Sequence, residues 1–338
     1  MKKNYQIIVG IDVSKAKLDY CIATAPGYNS YKFGIITNNQ KGIKQLIDLF
    51  QKNDTDSNAV LFCLENTGVY SMPICYWLQA NNLDYWVVPA LEVKKAKGIS
   101  RGKSDKADSK DIAMYALNHL HHLKLSVLPE KNFLELRLLL AEREKLIKAI
   151  NAFKMTTENK SFLPKDVLKS VLAHNKKTTT LLKLQLSMLE KLIQKIVDEN
   201  PVLKQQSKLL QTVPGIGKQT SVNLIAYTHA FSSFKNWRKF ACFCGIAPFP
   251  YESGSTIKGK TKVHHLANKK LKALLNLAAL SAKRNDPEIK NYFERKVSEG
   301  KNKMLVLNAI RCKVVSRAFA VIQRNSPFVN LNKFAKAS

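Results

Sequence analysis

The sequence holds no run of about 18 apolar residues, the length a helix needs to cross a bilayer. Its opening, MKKNYQIIVG, makes a poor secretory leader, because the apolar stretch after two lysines is short and soon meets Asp12. A cytosolic chain is expected. No C-x-x-C occurs; Cys242 and Cys244 form a C-x-C with no second pair near, which argues against a zinc knuckle and a disulfide framework. Cys21, Cys63 and Cys75 sit in apolar surroundings and are expected to pack as small hydrophobes. Internal repeats and low-complexity tracts are also missing.

Acids are scarce. Twenty-five Asp and Glu face 55 Lys and Arg, a net charge of +30 over 338 residues. Such an excess raises self-repulsion and suits a polyanionic partner. Nucleic acid leads and a membrane surface is the alternative. Residues 1–125 carry 16 basic and 11 acidic side chains, which leaves +25 for the remainder. The split suggests chemistry in the first third and grip in the rest, and the length allows two or three domains.

Three β-rich runs, YQIIVGID, KLDYCIAT and YKFGIIT, predict an antiparallel meander. KGIKQLIDLFQK follows, with Ile43, Leu46, Ile47 and Phe50 at helical spacing. Then come AVLFCLE as a buried strand, VYSMPICYWLQAN as a helix with Pro73 in its first turn, DYWVVPA as a strand, and a helix over 107–122. The order βββαβαβα predicts parallel pairing by right-handed crossover in its second half. Residues 131–157 and 179–199 read as long helices, the second with a seam of Leu182, Leu186, Leu189, Ile193 and Ile196. In the first, Arg143 takes a seam position. The two are expected to pair as an antiparallel hairpin or with another subunit. The stretch between them, 158–178, holds a Leu-Pro and reads as a loop, and 208–338 reads as a further unit closed by a basic amphipathic helix.

Asp12 ends the first strand and Glu65 ends AVLFCLE. If those strands are parallel neighbours, both carboxylates reach the sheet edge where open α/β sheets build sites. Two acids held close repel one another; a divalent cation between them removes the conflict, and Mg²⁺ prefers such oxygen ligands. Asp105, Asp108 and Asp111 step by three, so a helix start can aim one or two more acids there, as a two-metal phosphodiester site requires. The same acids also suit plainer roles: Asp12 opening a turn with Ser14, Glu65 at a helix start, the three aspartates complementing a helix dipole. Asp19 is expected to face solvent.

TVPGIGKQTSVNLIAY looks like a helix-hairpin-helix, with Pro214, Gly215 and Gly217 in the turn and a helix starting after Lys218. Its N–H groups would meet a phosphate whatever the base sequence. A plain helical turn is the alternative. Further on, Ser253, Gly254 and Ser255 precede Lys258, Lys260, Lys262, Lys269, Lys270 and Lys272. The lysines suit phosphate neutralisation, and SGS by itself is an ordinary turn or a nucleophile among cations. His264 and His265 fit phosphate or solvent contacts, and His119, His121 and His122 close a helix.

VGIDVSK, LENTGVY, GKSDKADSKDIAMYA, TVPGIG and GIAPFPYESGSTIKGKT occur in that order. With them the chain resembles the DEDD-type insertion-sequence transposases, bridge-RNA-guided recombinases that include the Piv pilin-gene invertases. The resemblance runs from about residue 5 to 325. It implies an α/β RuvC-like (RNase H fold) catalytic domain over 1–125, a coiled-coil helical linker over 126–207, and a mostly α-helical transposase domain with the helix-hairpin-helix over 208–338. The family's four acids fall on Asp12, Glu65, Asp105 and Asp108, which would hold Mg²⁺, with two ions possible; its serine nucleophile falls on Ser253, with Ser255 the fallback. SGSTIKGK departs from the Gly-rich loop of some relatives. Implied partners are donor and target DNA, a guide RNA pairing with both, and further copies of the chain as dimer or tetramer, in a bacterial, nucleoid-associated setting without a membrane. Arg143, Gly215, Gly217, Lys218, Lys258, Lys260, Lys262, Lys269 and Lys270 are the expected nucleic-acid contacts, along with the C-terminal basic helix. Other readings are a RuvC-like structure-specific nuclease using water, a Piv-like invertase at fixed sites, and an inactive nucleic-acid-binding protein.

Overall fold

The computed structural model describes residues 3–25, 27, 30–51, 59–98, 104–155, 164–253, 257–263 and 267–330. The chain forms two compact units, Met1–Leu128 and Pro129–Ser338.

In the first unit, strands β1 (Ile7–Val13), β2 (Lys17–Thr24), β3 (Ser30–Thr37), β4 (Val60–Glu65) and β5 (Asp84–Val88) form one sheet in the order β3-β2-β1-β4-β5. The meander β1–β2–β3 is antiparallel, while β4 runs parallel to β1 and β5 parallel to β4. Ser14 closes the first hairpin, its hydroxyl donating to the Lys17 carbonyl and accepting from the Lys17 N–H. Helices cover both faces, which is why β1 and β4 read as continuous apolar runs. On one face, α1 (Gln40–Gln51) and α2 (Met72–Ala80) bury Ile43, Leu46, Ile47, Phe50, Ile74 and Leu78 against Val9, Ile11, Phe62 and Leu64. On the other, α3 (Ala90–Ala96) and α4 (Asp105–Asn118) bury Val93, Ile112, Ala113 and Ala116 against Ile8, Leu61 and Cys63. This mixed α/β sheet is the architecture that the resemblance implied. Helix α3 was not expected from sequence, and α4 stops at Asn118, with Leu120–His122 forming a separate 3₁₀ turn.

Gly10 decides how close α4 comes. A Cβ there would lie 2.3 Å from the Ser109 carbonyl oxygen and 2.4 Å from the Ala113 nitrogen. Only hydrogen fits, so the helix backbone rests directly on β1.

The second unit holds α5 (Lys131–Met155), α6 (Lys165–Glu199), α7 (Pro201–Gln211), α8 (Lys218–Thr228), α9 (Trp237–Phe243), α10 (Lys269–Asn285), α11 (Pro287–Ser298) and α12 (Lys303–Arg324). A two-stranded antiparallel hairpin, β6 (Pro248–Ser253) and β7 (Ile257–Val263), lies between α9 and α10. Helices α5 and α6 pack side by side with opposite directions: Leu136 and Leu140 share a core with Ile193 and Val197, and Arg143 meets Glu190. That core also contains Leu210, Ile225, Phe240, Leu275, Ile310 and Val314, so the long helices are rooted in the same unit as α7–α12. The loop expected over 158–178 is largely helix, since α6 begins at Lys165; Pro164 stands at its N-cap and fixes where the helix starts. Residues 158–163 lie outside the described residues.

Helix α12 corrects another expectation. Its apolar face is buried as an amphipathic helix requires, with Ile310, Val314, Val315, Ala318 and Val321 having no exposed area, but its basic face was expected to hold nucleic acid. Three of its cations are used within the fold, while Lys303 and Arg324 are exposed: Arg317 meets Asp286 at 2.6 Å and Glu288 at 2.7 Å, Lys313 lies over the Tyr292 ring, and Arg311 is buried against Asn276 and Asn308. Among the described residues, no helix is long and apolar enough to cross a membrane.

Candidate metal centre and nucleic-acid surfaces

Asp12 is near the end of β1, and α4 brings two more acids to it. Ser104 caps α4 by accepting from the Ala107 N–H, which places Asp105 and Asp108 in the first turn. The close seat at Gly10 then fixes that turn over the sheet edge. One carboxylate oxygen each from Asp12, Asp105 and Asp108 lies within 4.8 Å of the others. Three hard oxygen donors at that spacing suit a divalent cation.

Glu65 reaches the same edge from the neighbouring strand. The parallel register pairs Ile11 with Leu64, so Asp12 and Glu65 are the next residues on adjacent strands. Alternation puts both on the α4 face, the side taken by Ile8, Leu61 and Cys63. The Glu65 carboxylate is not part of the close group of three.

Asp19 was expected to face solvent and does not. It is 5% exposed and lies opposite Asp12 in the β1–β2 register, on the α4 face. Because helices cover both faces of the sheet, either parity of β2 is buried, and the pattern Lys17-Leu18-Asp19-Tyr20-Cys21 does not reveal which side meets solvent.

Two lysines answer this negative charge. Lys17 places its ammonium 2.7 Å from Asp105 and 3.1 Å from Asp19; Lys97 lies 2.9 Å from Asp108 and 2.6 Å from Asp111. The carboxylate of Asp105, then that of Asp19, raises the Lys17 pKa, and Asp111, then Asp108, raises that of Lys97. The acids thus draw cations to themselves, which accords with the donor set fitting a metal. The sequence reading passed over both lysines. Their signal was faint, since a lysine two residues before Asp19 or beside Gly98 is ordinary.

The expected nucleic-acid contacts scatter. Gly215 has φ +92°, and a Cβ there would lie 2.3 Å from the Ala278 carbonyl oxygen, so this glycine serves the turn between α7 and α8 and the approach of α10. Gly217 caps α8 with open space around it, and Lys218 beside it is exposed. Arg143, expected to hold nucleic acid, is partly exposed and paired, with its Nε donating to Glu190 at 2.7 Å. Lys270 pairs with Glu144 at 2.7 Å, while Lys269 is exposed at the start of α10. Ser253 ends β6, and Lys258, Lys260 and Lys262 take alternate positions on β7; these four side chains, with Gly254, Ser255, His264 and His265, lie outside the described residues.

Two family models match the chain. One, described as the DEDD transposase of the IS110 type, covers residues 9–160; the other, a transposase of the IS116/IS110/IS902 family, covers 207–294. A pilin gene-inverting protein of Moraxella lacunata is 27% identical over 97% of this chain and 98% of its own length. A 43.6 kDa protein of insertion element IS110 from Streptomyces coelicolor is 27% identical over 40% of this chain and 32% of its own. Among solved structures, Thermus thermophilus RuvC in complex with a Holliday junction substrate is 8% identical, with a TM-score of 0.27, covering 37% of this chain and 100% of that one.

Proposed function

The chain belongs to the DEDD-type insertion-sequence transposases, enzymes that cut and rejoin DNA, and we propose that it does so by strand exchange through a serine–phosphate intermediate, guided by an RNA pairing with donor and target DNA. The observation that carries the metal half of this reading is the convergence of Asp12, Asp105 and Asp108 at one sheet edge. These three, with Glu65 from the adjacent strand, would hold one or two Mg²⁺ ions. When bound, Mg²⁺ would supply Lewis-acid polarisation of the scissile phosphate.

The covalent step falls to Ser253. Its hydroxyl oxygen attacks phosphorus; the Oγ–P bond forms as the bond to the 3′-oxygen breaks, and the hydroxyl proton ends on the departing 3′-oxygen. A new 3′-hydroxyl then attacks the phosphoserine and restores the serine. One phosphodiester is exchanged for another, so no ATP is consumed. The acids belong to one unit and the serine to the other, and both must act on one phosphate, from one chain or from two copies in a dimer or tetramer. Exposed Lys218 and Lys269, and the lysines of β7, would meet phosphates.

The test is a denaturing gel after incubation of the protein with Mg²⁺, the DNA flanking its gene and the RNA from the same strip. A covalent protein–DNA band is expected, absent in Ser253→Ala. A band surviving both Ser253→Ala and Ser255→Ala would refute the serine assignment, and undiminished cutting by Ser253→Ala would favour a RuvC-like nuclease using water. The near full-length match to the pilin gene-inverting protein favours a second reading, inversion at fixed sites. Recombination that proceeds without any RNA would decide for it.

A further inference from the structure

Strand β3 is an edge of the sheet, and Tyr31, Phe33 and Ile35 alternate along it on the face toward α4. Phe33 is 38% exposed and Ile35 66%, so the two present neighbouring apolar surface beside a charged site. Between them and α4 lies an open pocket of about 230 Å³, bounded by Asp19, Phe33, Ile35, Lys106 and Ser109 and by the Gly34 backbone. Lys106 sits 4.5 Å from the Phe33 ring centroid, and Lys110, one helical turn on, sits 4.1 Å from that of Tyr31. The pocket therefore has an aromatic wall, Phe33, one ammonium group, Lys106, and one nearly buried carboxylate, Asp19, in its lining, with Lys110 and Tyr31 beyond it on the same face. It also borders the acid cluster: Asp19 is opposite Asp12 in the sheet, and Lys106 follows Asp105.

We propose that this pocket takes one unpaired base of the DNA strand whose phosphate enters the acid cluster. The inference rests on the reading of that cluster as the strand-cutting site. The volume is smaller than pockets for drug-sized ligands and suits a single planar heterocycle. Base-on-aromatic stacking is tolerant of sequence, and cations beside the ring answer the adjoining phosphates. Asp19 accepts from an exocyclic amine or ring N–H, and Lys106 donates to a base carbonyl or to the phosphate beside it. An apolar peptide would not call for a lysine in the lining and a second one helical turn on. The pocket would thus hold one base out of its stack and set which phosphodiester reaches the acids.

The experiment uses the full chain and a homothymidine oligonucleotide carrying a single 4-thiothymidine, cross-linked under long-wave ultraviolet light and mapped by peptide mass spectrometry. Adducts are expected on the segment from Tyr31 to Ile35. Phe33→Ala should cut their yield by about tenfold, and Phe33→Trp should restore it, while adducts elsewhere on the chain stay unchanged. Ile35→Asp, at an exposed position, serves as a second variant should Phe33→Ala fold poorly. Adducts that fall only outside β3 and α4, or β3 adducts that persist in both Phe33→Ala and Ile35→Asp, would overturn the proposal. Asp12→Asn should abolish strand cutting yet keep the β3 adduct. Loss of cutting with no β3 adduct would remove the pocket alone; continued cutting would remove the reading of the cluster.

Discussion

In the first unit, acids gather at a partly exposed sheet edge and lysines come to them. In the second, arginines are drawn inward to acids and amides. Asp12, Asp105 and Asp108 crowd within 4.8 Å, although like charges repel and nothing in the packing of the sheet requires them there. Arg317 and Arg143, by contrast, tie α12 to α11 and α5 to α6. Unfavourable charge that adds nothing to a core points to chemistry; favourable charge between helices points to architecture. The comparison also tempers the net charge. The second part of the sequence is strongly basic, but several of its cations serve the fold, so the nucleic-acid surface is smaller than the formal charge suggests.

The sharpest break in that comparison is Asp108→Asn. It removes a charge from the cluster and leaves Lys97 its contact with Asp111. Strand cutting should fall by about a thousandfold or more, as loss of a metal ligand implies. The thermal midpoint should hold or rise, because repulsion is relieved. A large fall in that midpoint would make the acids architectural after all.

Arg317→Met should do the reverse. The Asp286 side chain has no exposed area and also caps α11, accepting from the Glu288 N–H. Removing its cation strands a buried carboxylate and should cost about 3 kcal/mol, read as a lower urea midpoint. Arg317→Lys keeps the charge and should recover only part of that stability, since it lacks the two-pronged grip on Asp286 and Glu288.

Gly10→Ala probes how the fold builds the site. The added methyl group meets helix backbone, which cannot rotate away, so α4 must shift. A loss of about 1–3 kcal/mol is expected, with weaker divalent-cation binding in calorimetry because Asp105 and Asp108 move with the helix. Gly217→Ala, with open space around it, should change neither.

Much of the first unit was legible because its signals are periodic and local. Two apolar runs each ending in one acid give the parallel pair β1–β4, and three aspartates spaced by three give the helix start that faces them. Asp19 escaped because both faces of the sheet are covered, so strand alternation no longer marks which face meets water. The second unit was harder to read. In α12 three of the basic residues, Arg311, Lys313 and Arg317, are engaged within the fold, and sequence cannot tell a solvated Arg from one that meets Asp286 across a helix packing. The strands β6 and β7 were not anticipated around the SGS turn, since a lysine at every other position resembles a charged surface run as readily as a strand.

The smallest effect concerns Arg143, where the two roles compete most directly. Its Nε lies 2.7 Å from Glu190, and its side chain is 23% exposed against 36% for that of Glu190. Partly exposed pairs contribute about 0.5–1 kcal/mol, so a double-mutant cycle of Arg143→Gln and Glu190→Gln should return a coupling of that size. If the residue is architectural, Glu190→Gln leaves nucleic-acid affinity unchanged and Arg143→Gln leaves its dependence on salt unchanged. If Arg143 also meets a phosphate, Glu190→Gln frees it and tightens binding, and Arg143→Gln lowers the salt slope by about one. Affinity measured at several salt concentrations in the same four proteins separates the outcomes, because ion pairing within the helices and counterion release from a phosphate respond to salt through different equilibria.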